Sequence, residues 1–284
     1  MIMGLLKKIL MFGSKSPVVG VVRLYGIIGQ GSALRRGLSL SVLNAVFNQV
    51  FRLKGLSAVA LAINSPGGSP VQSAMICRQI RTLAKEKDVP VIAFAEDVAA
   101  SGGYWLTLAA DEIYADENSI IGSIGVITAG FGFTGLMEKI GLERRIYTAG
   151  EKKSMLDPFC DENAEDINRL KSLQSEMHQS FKHAVKDRRG GRLKGDDNEL
   201  FSGEFWSGRQ AHELGLIDGI GDLRSVMKDR FGEKVRFKII EPKKQWWKVG
   251  SKSLSSRKIA DSTLWIDDLI AIIEERFFWS RFGL

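Results

Sequence analysis

Between Val18 and Glu96 the chain alternates two kinds of apolar pattern. The runs VVGVVRLYG, AVALAIN and VPVIAFAE are short, β-branched and almost without polar positions, whereas LSVLNAVFNQVF and VQSAMICRQIRTLA space their apolar residues three and four apart. The first kind predicts strands buried on both faces, the second amphipathic helices. Their alternation predicts an α/β domain whose sheet contains parallel pairs with helices on both sides. The pattern then tightens through SGGYWLTLAA, EIYA, GSIGVITA, FTGLMEKIG and RRIYTAG.

Beyond Pro158, Ile167, Leu170, Leu173, Met177, Phe181, Ala184 and Val185 recur at helical spacing, so a long helix is expected there, ending at the Gly190-Gly191 pair. The stretch FSGEFWSGRQAHELGLIDGIGDLRSVMKDRFG predicts two short helices and KVRFKII a last strand. After Pro242 come a basic, serine-rich linker and an apolar, aromatic helix, STLWIDDLIAIIEERFFWSRFGL. The division this predicts is an N-terminal amphipathic segment at 1–16, one main domain at 17–240, and a linker with its helix at 241–284. No internal repeat is present in the sequence.

With 284 residues, 44% of them apolar, the chain can bury a substantial core. The net charge of +7 raises the question of nucleic acid, but much of the excess lies at the ends. Met1 to Lys15 carries three lysines and no acid, and Glu241 to Lys258 holds six basic residues against Glu241 alone. A basic groove for nucleic acid is therefore not expected. Cys77 falls in a helical pattern and Cys160 in a loop, without a CxxC or a Cys/His cluster, which predicts neither a disulfide framework nor a metal site. No apolar run reaches the roughly 20 residues of a spanning helix, and the N-terminus, broken by Lys7 and Lys8, lacks a small-residue cleavage site. The expected location is the cytoplasm or the inner membrane face, where basic ends meet anionic lipid.

Three glycine-rich turns stand where a strand ends and a helix begins. In AINSPGGSP, Gly67 and Gly68 let backbone amides approach a ligand closely, as in an oxyanion hole or phosphate cradle, although a PGG turn is also an ordinary turn. In DVAASGGYWLTLAAD, Ser101 stands at a predicted helix N-terminus, the position of an N-cap and equally of an exposed nucleophile. Gly68 would face it if the two preceding strands are neighbours, and ligands of open α/β sheets gather at such strand ends. In YTAGEKKSMLDPF, Lys152 and Lys153 read as a solvated pair, or as a pair with one amine held against the apolar residues that follow.

A nucleophilic serine needs a base, and the three histidines, His178, His183 and His212, lie on predicted helices away from the glycine turns. They read as surface or packing residues. A neutral lysine can replace histidine in this role. Bringing a lysine from its reference pKa near 10.4 to about 7 or 8 costs the site on the order of 3 to 5 kcal/mol.

NSPGG, ASGGYW with AADEIYAD, GSIGVI and GEKKSMLDPF, in this order and at these separations, closely resemble the signal peptide peptidase A family, which includes protease IV. The likeness runs from about Val18 to Ile240. It implies Ser101 as nucleophile, Lys153 as general base, the Gly68 and Gly102 amides as oxyanion hole, and Ser123 as the residue that orients the lysine. It further implies no cofactor and no metal, and a Clp protease/crotonase-like repeated β-β-α superhelix, here with a small C-terminal extension. The implied assembly is a ring-shaped homo-oligomer in which neighbouring subunits help complete each site. The chain carries one copy of the motif set and no transmembrane anchor, so the resemblance is to the short form. The aromatic C-terminal segment, with Trp246, Trp247, Trp265, Phe277, Phe278 and Trp279, is expected either to pack on the protein or to make peripheral membrane contact.

The leading expectation is thus a serine endopeptidase with a Ser-Lys dyad acting on short apolar peptides such as residual signal peptides. Two alternatives stay open. A crotonase-like acyl-CoA hydratase or isomerase would use the same amide pair with Glu96 or Asp97 as acid or base, leaving GEKK without a role. A catalytically inactive membrane-associated scaffold would need none of the serine, lysine and glycines.

Overall fold

The computed structural model describes residues 16–29, 37–242, 273 and 276–284. Among the described residues eight strands form one sheet: β1 (Val18–Tyr25), β2 (Leu56–Ser65), β3 (Val91–Ala100), β4 (Glu112–Ala115), β5 (Ile120–Gly122), β6 (Phe205–Ser207), β7 (Gly219–Ile220) and β8 (Arg236–Ile240). The order along the main path is β6-β5-β3-β2-β1-β8, all neighbours parallel except β5 and β6. Parallel pairing needs crossovers long enough to hold helices. These are α1 (Leu40–Val50) between β1 and β2, and α2 (Pro70–Lys87) between β2 and β3.

One face of the sheet carries the larger core. Leu24, Leu61, Ile63 and Ala93 pack there against Phe47 and Val50 of α1, Ile76 and Ile80 of α2, Tyr104 and Leu106 of α3 (Gly102–Thr107), and Phe181 and Val185 of the long helix. The other face, lined by Val19, Val21, Ala58, Ala60, Ile92 and Phe94, is covered by Met227 and its neighbours on a single late helix, Leu223–Phe231. Strands buried on both faces explain why these runs carry so few polar residues.

The sheet branches in the middle of β3. Ile92–Ala95 pair with Glu112–Ala115 of β4, whereas Val98–Ala100 pair with Ile120–Gly122 of β5. On the other side Ile63 faces Ala95 but Ser65 faces Ala99, so Glu96 and Asp97 are two extra residues in β3. This bulge lets one strand serve two neighbours in succession. Tyr25 Oη donates to Glu96 at 2.6 Å and Asn64 Nδ2 to Asp97 at 2.6 Å, which ties the bulge to both preceding strands.

Between β5 and the long helix the chain makes an excursion that includes α4 (Thr134–Ile140). Its own contacts are few: Phe133 stacks on Phe159, Arg144 lies over the Phe159 ring, and Arg144 pairs with Asp157 at 3.0 Å. Residues 141–150 are exposed throughout, and RRIYTAG, which continues the strand-and-helix rhythm in sequence, forms no strand.

The long helix, α5, spans Ala164–Arg189 and ends at Gly190, where the periodicity predicts. Asn163 caps it, and Glu165 and Asp166 at its start complement the helix dipole, as Lys186, Arg188 and Arg189 do at its end. Its last turn is anchored by Arg189, whose guanidinium donates to Gly215 O and to Asp218, itself an acceptor from Ile113 N. Between α5 and β8 come the short helices α6 (Asp197–Leu200), α7 (Gly208–Glu213) and α8, the helix over the second face. The N-terminal amphipathic segment and the basic linker lie outside the described residues. Of the C-terminal segment, residues 276–284 are described, and Phe282 and Trp279 pack on Val98, Ala100 and Ile120.

Candidate active site

Strands β2, β3 and β5 are neighbours, so their carboxyl ends bring NSPGG, ASGG and GSIG together. Ser101 directly follows β3 and is the N-cap of α3, with φ 52° and ψ −121°. A non-glycine residue in this region is strained and persists only where its surroundings fix it. Ser101 N donates to Gly122 O at 2.7 Å, and Ser101 O accepts from Trp105 N at 3.0 Å. The side chain caps nothing, which sets it apart from Ser69 and Ser207, whose hydroxyls accept from the amides of their helices. The sharp turn leaves the Ser101 hydroxyl half-buried and without a hydrogen-bond partner among the described residues.

Gly68 sits opposite. A Cβ on Gly102 would lie 3.4 Å from Gly68 N, so the two glycine backbones adjoin beside Ser101. Gly68 has φ +136°, and a Cβ there would stand 2.1 Å from Ile28 O, a position only glycine can hold. Ile28 N donates to Gly67 O and Ser69 N to Ile28 O, so the turn is fastened on both sides of Gly68. Gly102 N is the first amide of α3 and has no intrahelical acceptor. The Gly68 and Gly102 amides and Ser101 thus stand together at the carboxyl ends of β2 and β3.

Ser123 completes the group. It follows Gly122 as Ser101 follows Ala100, the two strand residues being partners, and it too has φ 52°. Ser123 is buried, and its amide donates to Glu204 O at 2.6 Å. Lys153 is not brought to this cluster within the single chain. It is exposed on the turn at 151–156 of the excursion, and its amide donates to Gly150 O. Neighbouring Lys152 pairs with Glu165 at 2.6 Å, a bond that holds its amine in the charged form.

Glu96 and Asp97 are occupied by Tyr25 and Asn64 at the bulge, and burial, with a smaller contribution from the hydrogen bond to Glu96, raises the Tyr25 phenol above its ordinary value. Cys77 is buried, and burial pushes its thiol up to about 11, in keeping with a packing role; Cys160 is exposed. His183 and His212 are exposed. His178, read from the sequence as a surface or packing residue, is half-buried, and a ring nitrogen lies 3.0 Å from Ile124 O, next to Ser123. It stands one helical turn before Phe181, whose ring stacks on Trp105 of α3 at 4.6 Å. Among the described residues no group of three His, Cys, Asp or Glu side chains is placed to hold a metal, and no helix is long and apolar enough to cross a membrane.

Comparison with known proteins gives this geometry a family. The sequence profile of peptidase family S49 matches residues 83–234, from the end of α2 through Ser101 and Ser123 to just past α8. A Brucella abortus protein named Na(+)/H(+) antiporter NhaA is 48% identical over 289 residues, covering 99% of this chain and 39% of that one. The chloroplastic serine protease SPPA of Arabidopsis thaliana is 38% identical over 174 residues, covering 60% of this chain and 25% of that one. Protease 4 of Haemophilus influenzae is 30% identical over 213 residues, covering 74% and 34%. The chain thus spans well under half the length of each of these relatives. The branched, mostly parallel sheet with helices on both faces is the α/β architecture that the alternating sequence pattern predicts. With the profile covering more than half of the chain and the serine-bearing turn inside it, the chain belongs to peptidase family S49.

Proposed function

We propose that the chain is a serine endopeptidase in which Ser101 is the nucleophile and Lys153, supplied across a subunit contact, is the base. The observation that carries this reading is the strained, uncapped Ser101 beside the Gly68 and Gly102 amides. Ser101 Oγ attacks the scissile carbonyl as Lys153 takes its proton, and the two amides hold the oxyanion. Collapse breaks the C–N bond, Lys153 returns the proton to the leaving amine, and an ester remains on Ser101. Water, deprotonated by Lys153, then hydrolyses the ester. The substrates are short apolar peptides such as residual signal peptides, a class supported by the resemblance to signal peptide peptidases.

Assembly into a ring is supported by what the single chain leaves uncovered. Ile127, Phe131, Leu142 and Tyr147 of the excursion are largely exposed, Tyr147 at 91%. The apolar stripe of α5 also runs on past the core: Phe181 and Val185 are buried, while Met177 is 46% exposed. An apolar surface of this kind marks an interaction site. A neighbouring copy seated on it would cover the turn bearing Lys153, and burial of a lysine amine against apolar surface favours its neutral form. The motif order and the fit of Ser123 beside Ser101 support that neighbour's lysine as the base.

The test is intact-mass analysis after treatment with a small peptidyl phosphonate, comparing wild type with Ser101→Ala and Lys153→Ala. A single adduct on wild type, mapped to Ser101 and missing from both folded variants, is expected. Full labelling of Lys153→Ala would remove the lysine from the mechanism.

A further inference from the structure

The second face of the sheet at the site end is closed by residues far from any motif. Ala100, Gly122 and Phe205 form one register row across β3, β5 and β6, the row immediately before Ser101 and Ser123. Phe282 lies over this row: it is buried with Val98 and Ala100, its ring meets Phe205 edge-on at 5.3 Å, and Trp279 and Ile120 pack alongside. From another side the Trp206 ring leaves no room at Gly122, where a Cβ would meet it at 2.6 Å. The row is therefore confined by side chains from two different parts of the chain.

Confinement matters because of what hangs on it. Ser101 N donates to Gly122 O and Ser123 N to Glu204 O, so each serine is hydrogen-bonded to a residue of this row or its neighbour. Both serines have φ 52°, outside the relaxed regions for their type. Such geometry survives only where packing over-determines it. The turn that carries Phe282 is held by Phe282 N and Leu284 N donating to Trp279 O, which joins the two aromatic residues into one unit.

We propose that Phe282, seated by Trp279, is a positioning residue: from behind the sheet it clamps the Ala100–Gly122–Phe205 row and so fixes the strained turns of Ser101 and Ser123. This deepens the peptidase reading and rests on Ser101 being its nucleophile. Phe282 touches no reacting atom. It acts through the last rung of the sheet.

The experiment compares wild type, Phe282→Ala, Phe282→Leu and Trp279→Leu by the rate of Ser101 phosphonylation, the urea unfolding midpoint, and amide hydrogen exchange at Ser101 and Ser123. A misplaced nucleophile is expected to lower the labelling rate of Phe282→Ala roughly ten- to a hundredfold, with Phe282→Leu recovering most of it. Exchange at the two serine amides should quicken while the core strands and the unfolding midpoint stay near wild type. Labelling and exchange at wild-type values would overturn the proposal, and so would a labelling loss that merely tracks a lowered midpoint. If Phe282→Ala does not fold, Phe282→Leu and Trp279→Leu carry the same comparison with milder changes. If wild type itself takes no label, the peptidase reading fails, and the exchange arm alone decides the clamp: quickened serine amides support it and unchanged ones remove it.

Discussion

A residue's role in this site is set less by its side chain than by the backbone that presents it. Ser101 and Ser69 both begin helices, yet Ser69 caps its helix from an ordinary conformation and Ser101 leaves its hydroxyl free at φ 52°. The sequence shows a serine followed by two glycines, which is compatible with either. Gly68 is the converse case: its place in NSPGG marks a turn, but the reason for glycine is the carbonyl of Ile28, 2.1 Å from where a Cβ would stand. Gly68→Ala should therefore cost about 2 kcal/mol or more through strain at positive φ and clash. It should also abolish Ser101 labelling by displacing its amide. Urea unfolding and intact-mass labelling on the same preparation check both, and a fully active, equally stable variant would show that the turn is plastic.

At the scale of elements, α5 shows how a periodicity can be read correctly and still be incomplete. Its span and its end at Gly190 follow from the sequence, whereas its anchor is a buried ion pair formed with a turn downstream. Arg189 is 2% exposed at its side chain and lies 2.7 Å from Asp218. Burial by itself would raise the Asp218 carboxyl, but the bonds from Arg189 and from Ile113 N outweigh it and hold the group below its usual range. A carboxyl depressed in the folded state stabilises above its unfolded value, about 3.9, and that contribution is lost as pH falls through the folded value. Asp218→Asn leaves a buried guanidinium without its carboxylate and should cost about 3 kcal/mol near neutral pH. The loss should shrink below about pH 4 as the wild type itself protonates. Unfolding midpoints at several pH values test this, and a pH-independent difference would place the effect in packing alone. Nothing in LGLIDG distinguishes Asp218 from a surface acid, because its partner stands 29 positions away.

For the whole molecule, the excursion between β5 and α5 poses the largest question, since its apolar residues face outward and the lysine it carries stands apart from Ser101. If Lys153 serves a neighbour's serine, a mixture of Ser101→Ala and Lys153→Ala subunits regains activity that neither has alone. Random assembly would restore about a quarter of the sites, each needing an intact serine from one subunit and an intact lysine from the next. Mixing after dissociation, followed by labelling and peptidase assay, measures this; no recovery in mixed oligomers would place both groups in one subunit. The sequence by itself determined the alternation of strands and helices, the three glycine turns and their order, because local periodicity and glycine placement are written residue by residue. The tertiary structure alone decided which strands adjoin and that β3 changes partners at Glu96 and Asp97. It alone also decided that Phe282 lies behind Ser101's strand and that Lys153 stays exposed. Each of these is a contact between residues far apart in the chain, chosen by packing and register across the sheet, and no local pattern encodes it.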